Sequence, residues 1–348
     1  MTLALNQVHV GDVRQLLPQI PDDSIDCVVT SPPYWGLRDY GVPGQLGLEE
    51  SPARYVVEMV AVFNEVRRVL KPRGTLWLNL GDSYIGSWGA QGRGTAVDGR
   101  RAIAARQIAA AARQRLRTRE LGNKTEGLKP KDLVGIPWMI ALALRNAGWW
   151  LRSEVIWHKA NPTPEAVIDR PCRDHEQMFL LTKSYSYYYN RKAVMQQATG
   201  TAHSRVSVYE GKGPRGVHPK ALELAKGAKM NPSFSGAISG KVVEKRNIRT
   251  VWKIVSEPYH GAHFATFPTK LVAPCILAGC PKGGVVLDPF AGSGTVAQVA
   301  GTLGRRWIML ELNEESAELA RARIALGRAP RVGGRTRQGQ LSLFAGAR

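Results

Sequence analysis

The sequence predicts an α/β fold, in which short apolar strands alternate with amphipathic helices. An apolar run at residues 25–29 predicts a strand at 26–30, apolar residues follow at helical spacing over 56–70, and a second strand is predicted at 75–79. The same alternation returns in the last third of the chain. A chain of 348 residues can therefore form one large α/β domain that carries an insertion.

The predicted catalytic domain begins with residues 1–85 and is then interrupted. We expect the Lys-Pro-Arg-Gly stretch at 71–74 to end the helix that precedes it. Residues 86–130 change in composition, because a Gly-rich stretch leads into a predicted Ala/Arg helix at 100–120. The apolar face of that helix is mostly alanine, so we expect it to lie on the surface and to face an anionic partner.

The domain resumes in residues 131–189 and then gives way to a different composition. Pro137 suits the first turn of a helix, and strands are predicted at 149–157 and 177–183. Residues 190–250 are polar, rich in Lys and Arg, and punctuated by Gly and Pro. This composition predicts a separate module of irregular structure.

The last part of the domain, residues 251–328, restores the alternation. The predicted elements are a helix at 271–280, a strand at 285–290, a helix at 295–303, a strand at 306–312, and a helix at 314–326 capped by Asn313. Residues 329–348, rich in Gly and Arg, are predicted to form a flexible basic tail.

The charge balance indicates a polyanionic partner. The chain has 48 Lys and Arg against 28 Asp and Glu, which leaves a net charge of +20. This excess is typical of proteins that neutralise phosphates, although an RNA or an anionic lipid surface would also suit it. No apolar run approaches the roughly 20 residues of a membrane span, and no signal peptide is recognisable, so we expect a cytoplasmic protein. The four cysteines lack zinc-ligand spacing, which predicts no metal site.

The stretch DPFAGSGT, residues 288–295, predicts a ligand-binding turn between a strand and a helix. Gly292 and Gly294 allow the backbone to turn tightly and to approach a ligand closely. Glu311 ends the following strand, where an acidic residue can accept hydrogen bonds from both hydroxyls of a ribose. By itself, such a turn could also be a generic α/β connection with a surface glutamate.

The stretch TSPPYW, residues 30–35, ends the first predicted strand in an unusual way. Two prolines fix the backbone and remove two N–H donors, and two large aromatic residues follow directly. The simplest structural alternative is a strand end followed by a hydrophobic plug.

Together, TSPPYW and DPFAGSGT resemble the amino-methyltransferases of DNA. The order of the two segments, with the catalytic one first and the cofactor one last, is similar to the β group of that family, in which a target-recognition region lies between them. The resemblance implies a seven-stranded, mostly parallel, Rossmann-like methyltransferase sheet with helices on both faces. It also implies S-adenosylmethionine as the cofactor, double-stranded DNA as the substrate, and a bacterial or phage origin.

The resemblance assigns roles to individual residues. The Ser31 side chain and the Pro32 carbonyl would accept hydrogen bonds from the target amino group, with Pro33 and Tyr34 completing the catalytic motif. Tyr34 and Trp35 would stack on or enclose an extruded base. The residues that would bind the cofactor are Asp12 (adenine amino group), Thr269 and Lys270 (carboxylate end), Glu311 (ribose), and Asp288, Pro289, Phe290, Gly292 and Gly294 (methionine part).

The base that accepts the methyl group is predicted from the first motif residue. Family members with Ser at this position mostly methylate N4 of cytosine, whereas Asp or Asn usually marks N6-adenine enzymes, so Ser31 favours cytosine. The alternatives are an N6-adenine enzyme, an RNA or protein methylase, and a non-enzymatic nucleic-acid binder. A dinucleotide oxidoreductase is disfavoured, because the first strand turn lacks GxGxxG.

Two regions outside the catalytic segments are assigned to partners. The module at 190–250 is dense in residues that contact phosphates and base edges, and we expect it to read the DNA sequence, although a basic linker would look similar. In the tail, Gln340, Leu341, Leu343 and Phe344 resemble the short peptide by which bacterial proteins dock on the replication sliding clamp. The alternative is an inert tail.

Overall fold

The computed structural model describes residues 3–37, 39–85, 127–162, 164–165, 167–197, 245–256 and 268–328. In chain order the described elements are β1 (Gln7–Val10), α1 (Val13–Leu16), β2 (Ile25–Thr30), α2 (Pro52–Val69), β3 (Leu70–Leu80), α3 (Ile136–Asn146), β4 (Trp150–Lys159), β5 (His175–Thr182), β6 (Gln196–Gln197), β7 (Lys245–Arg246), β8 (Val251–Ile254), α4 (Thr269–Gly279), β9 (Val285–Asp288), α5 (Thr295–Thr302), β10 (Arg306–Glu311) and α6 (Glu314–Arg328).

The main sheet confirms the predicted mostly parallel α/β class. In the described part of the chain it has eight strands in the order β1-β10-β9-β2-β3-β5-β4-β8. Among these, β5 alone runs antiparallel to its neighbours. The sheet of the described residues has one strand more than the seven expected. Neither β1 nor β8 was among the strands predicted from the sequence, and β8 pairs in parallel with the end of β4.

Helices cover both faces of the sheet, as expected. On one face, apolar residues of α2 and α3, such as Phe63 and Ile140, join Leu76 and Leu78 of β3 in one buried cluster. On the other face, the Thr75 hydroxyl donates to the Gly279 carbonyl of α4 (3.2 Å). Successive residues of a strand point to opposite faces, so β3 contacts both layers, which explains why it is buried throughout residues 74–80.

The boundaries of α2 and β3 differ from the predicted ones. Helix α2 begins at Pro52 rather than near residue 56, because the Ser51 side chain caps it by accepting a hydrogen bond from Arg54 N (3.2 Å). Helix α2 ends at Val69, and strand β3 begins at Leu70 rather than at the predicted residue 75, so residues 71–74 belong to the strand. The Lys71 ammonium pairs with the Asp26 carboxylate (2.8 Å) across the β2–β3 pair. The Asn313 cap of α6 is present, since its side chain accepts from Ser316 N (3.1 Å).

The chain divides into two units by its internal contacts: Met1–Ala193 with Arg249–Ala345, and Val194–Ile248 with Gly346–Arg348. The described part of the second unit contains the antiparallel pair of β6 and β7. The predicted Ala/Arg helix at 100–120 and the tail at 329–348 lie outside the described residues. In the described ranges, no helix is long and apolar enough to cross a membrane, and no group of His, Cys, Asp and Glu side chains is arranged to hold a metal ion.

Candidate active site

The two segments singled out in the sequence meet at one edge of the sheet. Strands β2 and β9 are parallel neighbours, with Cys27 opposite Val286 and Val28 opposite Leu287. At their carboxyl ends the Thr30 hydroxyl donates to the Asp288 carboxylate (2.7 Å), and both side chains are buried. Because Thr30 precedes Ser31, this hydrogen bond holds the proline corner beside the start of the glycine turn.

The glycine turn adopts a conformation that requires glycine. Gly292 and Gly294 have φ angles of 49° and 76°, in the left-handed region. A Cβ at Gly294 would lie 3.0 Å from the Ala320 Cβ of α6, so glycine also permits the close packing of α6 on the start of α5. The turn is held against the sheet by a hydrogen bond from Ala291 N to the Leu310 carbonyl (2.9 Å).

Glu311 lies beside this turn at the end of β10. One carboxylate oxygen accepts from Gly292 N (2.7 Å) and the other accepts from Asn313 N (2.9 Å). Burial raises the pKa of Glu311, and these backbone donors partly offset the rise. Each carboxylate oxygen has two lone pairs, so each keeps one to accept a further hydrogen bond. The Glu311 carboxylate can therefore accept hydrogen bonds from the two adjacent hydroxyls of a ribose.

Asp288 has the most perturbed carboxyl group of this edge. Burial raises its pKa to about 7, although hydrogen bonds from Thr30 and from Phe290 N (3.1 Å) favour the ionised form. Pro289 and Phe290 follow directly, and the Phe290 ring packs against the hydrophobic core. A carboxyl group that ionises near neutral pH beside the turn suits a cationic ligand.

Asp12 lies at the same edge but has a role that the sequence did not predict. Strand β1 pairs with β10, and Gly11 N donates to the Glu311 carbonyl (2.9 Å), which brings Asp12 close to the turn. Its carboxylate caps α1 by accepting from Arg14 N (2.8 Å) and also accepts from the Arg14 guanidinium (Nε, 2.9 Å). Arg14 therefore lowers the pKa of Asp12. Oδ1 accepts both of these bonds and Oδ2 accepts from Arg14 Nη2 (2.5 Å), so a ligand could bond only through the remaining lone pair of Oδ2.

Thr269 and Lys270 open α4, which runs antiparallel to the parallel strands. The end of α4 at Gly279 lies against Thr75 at the amino-terminal half of β3. One turn earlier, Cys275 contacts Met178, which pairs with Asn79 near the carboxyl end of β3. The first turn of α4 therefore points towards the edge that carries the other site residues, where its N-terminus favours negative charge.

The proline corner is braced from several sides. The Tyr55 hydroxyl donates to the Pro33 carbonyl (2.7 Å). Gly47, with a φ of 91°, lies so close that a Cβ there would be 3.1 Å from the Tyr34 carbonyl oxygen. By contrast, no donor among the described residues bonds the Pro32 carbonyl oxygen. The corner thus fixes the backbone while it leaves this acceptor available.

The Tyr34 ring packs edge-on to the backbone after β3. A Cβ at Gly81 would lie 2.7 Å from Tyr34 Cδ2 and closer still to Cε2, so only glycine leaves room for the ring. The Ser31 hydroxyl donates to the Tyr34 hydroxyl (3.1 Å). Tyr34 is half-buried, and burial together with the neighbouring Glu176 carboxylate raises its pKa well above the ordinary value.

Three residues that the sequence did not single out complete this cluster. The Tyr34 hydroxyl donates to Glu176 (2.7 Å), Asn79 Nδ2 donates to both Tyr34 and Glu176 (2.7 Å each), and Lys159 Nζ donates to Glu176 (2.5 Å). A usable signal was present, because each is a polar residue at or next to the end of a strand, and Asn79 adjoins large apolar residues of its strand. Glu176 lies at the start of β5, which reaches this edge because β5 is antiparallel.

The prediction that Trp35 stacks on or encloses a base is wrong. Its side chain is 1% exposed and belongs to the hydrophobic core, and its indole N–H donates to the Glu49 carbonyl (3.0 Å). The indole anchors the corner to the interior, so of the two aromatic residues only Tyr34 is in a position to face a ligand.

Comparison with known proteins identifies the family of this chain. The family model for DNA methylases matches residues 25–322. The chain is 42% identical over 319 residues to the type II methyltransferase M.SmaI of Serratia marcescens, covering 91% of this chain and 90% of the relative. It is 40% identical to the type II methyltransferase M.Cfr9I of Citrobacter freundii over 314 residues, 90% of this chain and 86% of the relative.

Solved structures share the fold at lower sequence identity. The PvuII DNA methyltransferase (cytosine-N4-specific) superposes with a TM-score of 0.57 at 16% identity, covering 96% of this chain and 89% of that one. A DNA modification methylase of Thermus thermophilus, complexed with S-adenosyl-L-methionine, gives a TM-score of 0.52 at 24% identity, with coverages of 92% and 95%. The extent of the family match and the identity to the two type II enzymes establish that this chain belongs to the DNA methylase family of S-adenosylmethionine-dependent N4-cytosine and N6-adenine methyltransferases.

Proposed function

We propose that this type II DNA methyltransferase transfers a methyl group to N4 of a cytosine that is extruded from duplex DNA. The observation that carries the choice of base is the neutral hydroxyl of Ser31 at the corner, beside a Pro32 carbonyl that no donor of the described residues bonds. The Thr30–Asp288 hydrogen bond supports the shared site, because it holds this corner next to the glycine turn.

The corner prepares the nitrogen for attack. The lone pair of an exocyclic amino group is delocalised into the ring, so the group is a poor nucleophile. Hydrogen bonds from its two N–H groups to Ser31 Oγ and to the Pro32 carbonyl would hold the nitrogen in a geometry that frees its lone pair. Because the prolines fix φ, these acceptors need little reorganisation in the transition state.

The cofactor supplies an electrophilic methyl group on a sulfonium. On the protein side, Glu311 would hold the ribose hydroxyls with the acceptor capacity that its two backbone donors leave free. Asp288 and the turn through Gly292 would face the cationic methionine end. The N-terminus of α4 at Thr269 and Lys270 would favour the carboxylate end. Transfer would form the N–C bond as the S–C bond breaks, and the proton that the nitrogen then loses would pass to solvent water.

Extrusion of the base is the step that Tyr34 would support. Removal of a base from the duplex costs about a few kcal/mol. Stacking on an aromatic ring contributes roughly 1–3 kcal/mol per base. The half-buried Tyr34 ring, held on one side by Gly81, can offer such a surface.

The methylated nucleoside that the enzyme produces distinguishes cytosine from adenine as the target base. Duplex DNA is incubated with the enzyme and isotopically labelled S-adenosylmethionine, digested to nucleosides, and separated by mass spectrometry. Labelled N4-methylcytosine is expected, and Ser31→Ala should reduce it strongly without weakening cofactor binding. N6-methyladenine as the only labelled product would refute the proposed base, and label in RNA alone would refute the substrate.

For sequence recognition we retain residues 190–250 as the module that reads the DNA site. Removal of residues 195–245 should abolish site-specific methylation while cofactor binding remains. An unchanged site preference would place recognition elsewhere in the chain.

For the tail we propose docking on the replication sliding clamp through Gln340, Leu341, Leu343 and Phe344, which lie outside the described residues. The double variant Leu343→Ala and Phe344→Ala should lose affinity for purified clamp. Equal binding of the variant and the unchanged protein would reject this role.

A further inference from the structure

The Tyr34 hydroxyl bonds the side chains of Ser31, Asn79 and Glu176, and Lys159 in turn bonds Glu176. Ser31 follows β2, Asn79 belongs to β3, Lys159 ends β4, and Glu176 lies at the start of β5. Three bonds meet at the Tyr34 oxygen: from Ser31 (3.1 Å), from Asn79 (2.7 Å) and to Glu176 (2.7 Å). The Glu176 side chain is 15% exposed and Lys159 bonds its second oxygen, so the cluster is largely sealed from solvent.

The chemistry of these groups fixes the direction of each hydrogen bond in the series from Ser31 through Tyr34 to Glu176. An ionised carboxylate only accepts hydrogen bonds, so the Tyr34 hydroxyl must donate its single hydrogen to Glu176. The Tyr34 oxygen can then only accept, and Asn79 already donates to it. The Ser31 hydroxyl must therefore direct its own hydrogen towards Tyr34, which leaves both lone pairs of Ser31 Oγ turned away from this bond.

Glu176 keeps the charge that this order requires. Burial alone would raise its pKa, but Lys159 and the hydrogen bonds from Asn79 and Tyr34 outweigh that effect, so the pKa is lowered. Glu176, at the end of the hydrogen-bond chain opposite Ser31, therefore stays negatively charged over the pH range in which the enzyme is expected to work.

We propose that Glu176 is a positioning residue that acts through Tyr34 to hold the Ser31 hydroxyl as an acceptor for the target amino group. This inference rests on the proposed function, in which Ser31 accepts a hydrogen bond from the base. It assigns Asn79 and Lys159 supporting parts, since the first reinforces the direction at Tyr34 and the second retains the charge of Glu176. The target nitrogen then meets lone pairs rather than a competing O–H donor.

The isosteric variant Glu176→Gln tests the direction of the chain. An amide nitrogen can donate to Tyr34, after which the Tyr34 hydroxyl can turn towards Ser31 and the Ser31 hydrogen can point at the base. We expect the single-turnover rate to fall about 10- to 100-fold, the size of one hydrogen bond to a charged group. The KM for DNA and the Kd for cofactor should stay within about threefold, because stacking and the glycine turn are untouched. Glu318→Gln on the exposed surface of α6 is the matched control.

A double-mutant cycle with Tyr34→Phe separates positioning from a general structural effect. Tyr34→Phe keeps the ring but removes the hydroxyl through which, among the described residues, Glu176 is linked to Ser31. If Glu176 acts through that link, Glu176→Gln should lower the rate less than about threefold in the Tyr34→Phe background. An equal loss in both backgrounds, or a wild-type rate for Glu176→Gln alone, would overturn the proposal.

The double-mutant cycle can still be interpreted if the methylated base is adenine rather than cytosine. The rates are measured as label transferred to DNA, so exclusive methylation of adenine would refute cytosine as the target and leave the coupling between Glu176 and Tyr34 intact. The absence of any transfer by the unchanged protein would refute both. Thermal unfolding of each variant is recorded in parallel, and a loss of rate with an unchanged Tm assigns the effect to the site.

Discussion

Replacement of Gly81 by alanine should disable the Tyr34 cluster without disturbing the sheet. A Cβ at this position would lie 2.7 Å from Tyr34 Cδ2 and closer still to Cε2, and ordinary contact begins at 3.4 Å, so the ring must move by at least about 0.7 Å. The ring is rigid, so its hydroxyl moves with it, and the 2.7 Å bond to Glu176 would lengthen beyond the usual limit of about 3.0 Å for an O–H donor.

The size of the effect follows from the bond that is lost. A hydrogen bond to a charged group contributes about 1.5–3 kcal/mol. If that stabilisation is needed in the transition state, the methyl-transfer rate should fall about 10- to 150-fold. Single-turnover transfer of labelled methyl groups to duplex DNA measures this rate directly. The Kd for cofactor, measured by calorimetry, should not change, because the glycine turn lies on other strands.

Two comparisons make the Gly81 test decisive. Gly301→Ala, on α5, introduces a methyl group whose nearest neighbour is 3.9 Å away, and it should leave the rate unchanged. Gly81→Ala added to Tyr34→Ala should cause no further loss, because the three nearest neighbours of the new methyl group all belong to Tyr34. A wild-type rate for Gly81→Ala alone would show that the position of the ring does not matter for transfer.

Three further predictions concern the cofactor edge and the DNA. Because the Asp288 carboxyl, with a pKa of about 7, is neutral below that pH and negative above it, the affinity for the cationic cofactor should rise between pH 6 and 8 and become flat in Asp288→Asn, as measured by calorimetry. Thr30→Val removes a hydrogen bond that favours the ionised form of Asp288, so the midpoint of this pH dependence should move to higher pH. The free energy of unfolding in urea should fall by about 1–3 kcal/mol. An unmoved midpoint would contradict the Thr30–Asp288 contact. With a net charge of +20, DNA affinity should fall steeply and linearly on a log–log plot against salt in fluorescence anisotropy titrations, and a flat plot would exclude phosphate neutralisation as the main source of affinity.

The sequence by itself determined the fold class and the two segments of the site. Apolar periodicity placed β2, β9 and β10 and the helices of the last third within a few residues, because period-2 and period-3.6 patterns follow directly from strand and helix geometry. The glycines at 292 and 294 and the prolines at 32 and 33 were informative because each restricts the backbone in a way that few other residues can.

Only the tertiary structure decided which distant side chains complete the site. Glu176 is 142 residues from Tyr34, and it reaches Tyr34 only because β5 runs antiparallel to β3. Trp35 looked like a second stacking residue beside Tyr34, yet the packing of α2 and the core buries its indole. Local sequence encodes backbone preference and polarity, whereas the partner of a polar side chain is set by strand order and direction, which depend on the whole chain.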